Sequence, residues 1–314
     1  MATLWGVPTQ LGYPFRSGRS PTRRRELTTL ASRTRLRRPM SFSDRAVKVN
    51  GLSLHYTEWG RPGAPPVILL HGITGHARVW DYAAERLTPG FRVLALDQRG
   101  HGDSDAPHDT DYRIASMADD LAAFADTLRL ERFHLVGHSV GGRVAIQYGA
   151  HSPSRLGRLV LVDIGPDIML SGLKRVREIM AQAPERIPTE EWAFEYVRRT
   201  NPFYDLDQLR HRIRHGLKRT PDGGLTWKYD KGLRDMMREG RRDIIDLWEP
   251  LGRITCPTLI VRGAESDILS PDVAKRMLEA LPGGRLAEVA GAAHTVPGDK
   301  PEEFARVVRS FLDE

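Results

Sequence analysis

The residues able to do chemistry in this chain are one serine, one histidine and a small choice of carboxylates, far apart in sequence. Ser139 stands in Gly137-His138-Ser139-Val140-Gly141, a match to G-x-S-x-G. The apolar run Phe133–Val136 before it has strand character, and Val140–Tyr148 after it reads as a helix. A sharp strand-to-helix turn of this kind forces the serine into a strained conformation and lifts its hydroxyl clear of both elements. A Cβ at 137 or 141 would collide with the adjoining backbone, so glycine is required there. The helix amides then point at any negative charge that develops beside the serine. The second small residue, Gly142, strengthens the reading of Ser139 as a nucleophile over that of an ordinary tight turn.

A serine hydroxyl needs a base within hydrogen-bond reach. His294, in Gly291-Ala-Ala-His-Thr-Val-Pro297 after the last apolar strand, is the candidate. An imidazole titrating near its usual value of about 6.5 can take a proton and return it around neutral pH. A carboxylate should in turn fix its tautomer and stabilise the imidazolium. Asp267, in Arg262-Gly-Ala-Glu-Ser-Asp267 at the carboxyl end of a strand, is the expected group; Glu265 in the same loop and Asp163 at the end of the preceding strand compete with it. Attack on a carbonyl also requires fixed donors for the oxyanion. The amide of Val140, directly after the nucleophile, should be one. The amide of Ile73, in the glycine-bearing loop His71-Gly72-Ile73-Thr74-Gly75, should be the other.

The elements that must position these groups follow from hydropathy. Ala46–Val49 and Leu52–Glu58 alternate around Asn50-Gly51, a two-residue hairpin signal. From there buried strands alternate with helices. Strands are expected at Val67–Leu70, Phe91–Leu96, Phe133–Val136, Arg158–Val162, Thr258–Val261 and Arg285–Val289; helices near His76–Leu87, Ile114–Leu128, after Ser139, after Pro271 and over Pro301–Leu312. This alternation predicts an α/β fold whose mostly parallel sheet is covered on both faces. Sites in such sheets lie beyond the carboxyl ends of the strands. Residues 164–250 break the rhythm: they are helical in pattern, charged, and interleaved with Met and aromatic residues. They read as a helical cap inserted into a core formed by 41–163 and 251–314.

The +7 net charge is concentrated. Residues 1–40 hold nine arginines against Glu26, which leaves the rest of the chain at −1. A nearly neutral body removes the main support for nucleic-acid binding. The leader is an expected disordered tail: its composition also suits an organelle transit peptide, but the plainer reading is upstream sequence with Met40 as the natural start. No apolar run reaches the roughly 20 residues of a membrane span. The single Cys256 excludes an intramolecular disulfide, fits a reducing cytoplasmic setting, and reads as a small core residue. His211 and His215 have the i, i+4 spacing of a metal pair, but without Cys or acidic partners at matching spacing they read as a solvated helix face. No metal and no cofactor are implied.

Taken together, His71-Gly-Ile73, Asp97-Gln-Arg-Gly-His-Gly-Asp-Ser104, Gly137-His-Ser-Val-Gly141, Gly263…Asp267 and Gly291…His294 resemble the α/β-hydrolase fold superfamily, its serine esterase-like branch with a helical cap. The resemblance runs from about residue 45 to the C-terminus. It implies an eight-stranded sheet, Ser139, Asp267 and His294 as nucleophile, acid and base, and Asp97–Ser104, with His101 and His138, as scaffold. An aspartate nucleophile would suggest an epoxide hydrolase or a dehalogenase; Ser139 argues against both. A carboxylic-ester hydrolase acting on a small to medium apolar molecule is the expected function. A lactonase, a thioesterase, a C–C bond hydrolase, or a ligand receptor that retains the fold are the alternatives.

Overall fold

The computed structural model describes residues 41–240, 243 and 245–314. The Arg-rich leader lies outside the described residues. The first strands are β1 (Phe42–Val49) and β2 (Leu52–Trp59), joined through Asn50 and Gly51 at φ 49° and 79°. Both central residues are left-handed, as a two-residue hairpin turn requires. Then follow β3 (Pro66–Leu70), α1 (Asp81–Leu87), β4 (Arg92–Leu96), α2 (Ile114–Thr127), β5 (Phe133–His138), α3 (Val140–His151) and β6 (Leu156–Val162). After β6 come α4 (Leu170–Gln182), α5 (Glu190–Thr200), α6 (Leu206–Gly216), a ribbon of β7 (Leu217–Arg219) and β8 (Leu225–Trp227), α7 (Lys231–Arg238) and α8 (Trp248–Gly252). The chain closes with β9 (Thr258–Gly263), α9 (Pro271–Ala280), β10 (Arg285–Val289), α10 (Val296–Asp299) and α11 (Pro301–Leu312).

The sheet has eight strands in the order β1-β2-β4-β3-β5-β6-β9-β10. Within this sheet the β1–β2 and β2–β4 pairs are antiparallel, and β4, β3, β5, β6, β9 and β10 run parallel. This is the fold expected from the strand–helix alternation. Buried β-branched and leucine side chains fill both faces, as parallel strands demand. Leu70, Leu135, Leu161 and Ile260 pack on one side with Phe124 of α2 and Val144 of α3. Leu69, Val136, Val162 and Val261 pack on the other with Leu87 of α1 and Phe304 of α11. Strand order reverses where β3 meets β5, which opens a crevice at the carboxyl ends of those strands.

The segment between β6 and β9 is helical, as its pattern suggests, with one addition. The β7–β8 ribbon sits among the helices, and Trp227 from it packs with Phe194, Tyr204 and Leu209 in a core of their own. Charged residues dominate the outer face of these helices because only one stripe of each is covered. Among the described residues no helix is long and apolar enough to cross a membrane.

Candidate active site

Ser139 occupies the tight turn between β5 and α3 at φ 54°, ψ −120°. A non-glycine residue held in this region stores strain and persists only where its surroundings over-determine it. They do. The Ser139 N–H donates to Val162 O of β6, and its carbonyl accepts from Gly142 and Arg143 of α3. A Cβ on Gly137 would stand 2.4 Å from Gly141 O, and one on Gly141 would stand 2.5 Å from Leu70 O. Strand and helix can therefore meet this closely only because both positions are glycine.

His294 reaches Ser139 from the loop after β10. Its Nε2 lies 3.0 Å from Ser139 Oγ, and its Nδ1 lies 2.9 Å from Asp163 Oδ2. The structure corrects the expected acid: the carboxylate on the imidazole is that of Asp163, not Asp267. Asp163 follows β6 at φ 49°, with no solvent exposure. That left-handed turn sends the side chain beneath the β9 loop. There Oδ1 accepts from the Gly263 N–H at 3.0 Å and Oδ2 from the Ser266 hydroxyl at 2.6 Å. A buried carboxylate held by two protein donors and the imidazole is fully satisfied. Asp267 points instead at the helical segment after β6. Arg175 of α4 grips it bidentately, Nε to Oδ2 at 2.6 Å and Nη2 to Oδ1 at 2.8 Å. Burial pushes the Asp267 carboxyl up, but the guanidinium outweighs it and the net shift is downward. Glu265, the other competitor, is exposed.

Two groups fix the His294 loop. The His138 ring donates from Nε2 to His294 O at 2.9 Å, and the Ala293 N–H donates to Asp299 Oδ2 at 2.8 Å. Burial raises the Asp299 carboxyl to about 6. Desolvation, then the nearby His294, pushes His138 well below the usual imidazole range, so it acts as a neutral strut. The reading of His138 as scaffold is thus refined: it holds the loop that carries His294.

The loop of Gly72 and Ile73 lies against the serine, since a Cβ on Gly72 would stand 3.0 Å from Ser139 Cβ. His71 pins this loop, with Nδ1 donating to Gly72 O at 2.8 Å and Nε2 accepting from the Gln98 N–H at 3.1 Å. Burial drives His71 down to about 3, so it stays neutral. Neither the Ile73 N–H nor the Val140 N–H has a backbone partner among the described residues. The Asp97 turn is a structural network: its carboxylate accepts from Ala77 N–H, His55 and Asp103 N–H. His101 is buried beside it, its Nδ1 bonded to Arg99 O. His211 departs from the expected solvated face. Its Nε2 meets Asp81 Oδ2 at 3.0 Å, so it docks α6 onto α1. Cys256 is a buried thiol, raised by that burial.

Arg175 and Arg212, both on helices between β6 and β9, were not singled out from sequence. Arginine is common on charged helices, so no local signal separates a pocket residue from a solvated one.

Comparisons with known proteins bear on the fold that carries this site. A family profile described as α/β hydrolase fold matches residues 65–189. The 2-(acetamidomethylene)succinate hydrolase of Mesorhizobium japonicum is 31% identical over 87% of this chain and 96% of its own length. The chain belongs to the α/β-hydrolase family. The N-formylmaleamate deformylase of Pseudomonas putida is 30% identical over 85% of the chain and 95% of the relative. An esterase of Mycobacterium tuberculosis is 30% identical over 85% and 88%. Among solved structures, that of E-2-(acetamidomethylene)succinate hydrolase superposes with a TM-score of 0.80 at 29% identity, covering 87% of this chain and all of the other. The mycobacterial esterase superposes with a TM-score of 0.71 at 28% identity, covering 87% and 92%.

Proposed function

We propose that this hydrolase-fold chain cleaves carboxylic esters through an acyl-enzyme formed on Ser139. The observation that carries the reading is the relay Ser139 Oγ, His294 and Asp163, linked at 3.0 and 2.9 Å. In this mechanism Nε2 of His294 accepts the hydroxyl proton as Oγ attacks the substrate carbonyl. Asp163 holds the Nδ1–H tautomer and stabilises the imidazolium without taking the proton. The Ile73 and Val140 amides receive the oxyanion; such preorganised donors commonly supply the largest single catalytic contribution. His294 then protonates the leaving alcohol. Water, deprotonated by the same imidazole, attacks the acyl carbonyl, and collapse of the second tetrahedral intermediate frees the acid and restores Ser139.

The test is pre-steady-state release of p-nitrophenol from a short-chain p-nitrophenyl ester. A burst matching the enzyme concentration is expected, with Ser139→Ala abolishing both burst and turnover; turnover that survives in that variant overturns the mechanism. A second reading, hydrolysis of a non-ester acyl compound by the same residues, has support in the names of the succinate hydrolase and deformylase relatives. The corresponding acetamidomethylene and N-formyl compounds distinguish it, since only that reading expects them to be turned over faster than the ester.

A further inference from the structure

Two clefts open beside the catalytic loops, and one side chain belongs to both. The first is walled by Ile73, His138, Tyr204 and Thr295, the second and fourth of these being the chain neighbours of Ser139 and His294. The second is walled by Met180, Tyr196, Trp227 and Tyr229. Arg212 of α6 lines each of them, and among the described residues no Asp, Glu or Lys lines either.

The Arg212 guanidinium is held by neutral groups. Its Nη2 donates to Thr74 Oγ1 at 3.0 Å and to Thr74 O at 3.3 Å, and its Cζ stands 5.8 Å from the centre of the Tyr204 ring. The buried or half-buried Arg78, Arg92, Arg99 and Arg262 each meet a carboxylate instead. The histidines nearby add no positive charge at neutral pH, because burial holds His76 down at about 4 and desolvation keeps His138 well below its usual value. A permanent cation in a largely apolar cleft, whose partners among the described residues are the Thr74 hydroxyl and carbonyl and the Tyr204 side chain, retains donors for an anion. Guanidinium and carboxylate match in shape and charge.

We propose that Arg212 binds a carboxylate of the substrate, so that the hydrolysed molecule is an acid carrying its scissile carbonyl a short spacer from a free carboxylate. Thr74 directly follows Ile73, which places this cation one residue along the loop from the proposed oxyanion donor. The assignment rests on the acyl chemistry proposed for Ser139, but its test does not need turnover.

Calorimetric titration of the full-length Ser139→Ala protein with monomethyl glutarate and with methyl butanoate compares an anionic and a neutral ester. The anionic ester should bind at least ~10-fold more tightly, the scale of a charged hydrogen bond. Adding Arg212→Met or Arg212→Gln should erase that ratio, and Arg212→Lys should keep part of it. Equal affinities for the two esters, no binding of the glutarate ester, or a ratio that persists in a folded Arg212→Gln protein overturns the proposal. Failure of the Ser139 mechanism shows separately, as ester turnover surviving Ser139→Ala.

Discussion

The ends of β6 and β9 lie side by side in the sheet, and each is followed by an aspartate in opposite surroundings. Asp163 is fully buried and bonded to Gly263 N–H, the Ser266 hydroxyl and His294. Asp267 is partly exposed and engaged by Arg175. A carboxylate orients an imidazole well only when its own position is over-determined. Asp163 meets that condition; Asp267 sits beside α4, partly exposed and paired with Arg175. The β9 loop contributes to the site all the same, through the Gly263 amide and the Ser266 hydroxyl that hold Asp163.

The sharpest way to break this comparison is a pair of isosteric changes. Asp163→Asn should lower kcat for a p-nitrophenyl ester by about 10³- to 10⁴-fold, because an amide no longer stabilises the imidazolium or the correct tautomer. A larger loss in Asp267→Asn would reverse the assignment.

Acid titration separates the two regions next. Folded His71, His76, His134 and His215 protonate only at about 3, 4, 4 and 4, chiefly because burial disfavours the cation. In the unfolded chain they protonate near 6.5. The unfolded state therefore binds more protons between those values, and stability present above pH 6.5 is lost as pH falls toward 4. Asp299, raised to about 6 by burial, offsets part of this. The lowered Asp267 carboxyl contributes stability above its unfolded value of 3.8 that is lost only below it. The urea midpoint should thus fall between pH 6.5 and 4 equally in the native chain and in Asp267→Asn. A flat profile there would contradict the neutral histidine struts.

Ser266→Ala should come third. It removes a donor to Asp163 and the acceptor for the Ile268 and Leu269 amides. Buried groups left unpaired cost about 1–3 kcal/mol, readable by urea denaturation together with a reduced kcat. The smallest effect belongs to Arg175→Gln. Its ion pair with Asp267 is about one-third exposed on both sides, and such pairs contribute about 0–1 kcal/mol. A stability loss well above that range would mean that the contact latches α4 to the β9 loop.

Much of the site was legible because local physics dictates it. The turn at Ser139 needs two glycines and a strand–helix junction, all visible in 133–148. His294 and the Ile73 loop are expected from their places after apolar strands, and both lie beside Ser139. The acid was not, because Asp163 and Asp267 carry the same local signal, an aspartate at the end of a buried strand. His138, Ser266 and Arg212 act through partners far away in sequence, and no spacing rule reaches them.

The sequence alone determined the alternation of strands and helices, the parallel sheet, and the strained turn at Ser139. These follow from hydropathy period and backbone sterics, which act between near neighbours. Only the tertiary structure decided which carboxylate serves the imidazole and which arginine faces the clefts without an acid. Those choices depend on which charges a folded chain buries together, and burial is a property of residues brought close from distant strands and helices.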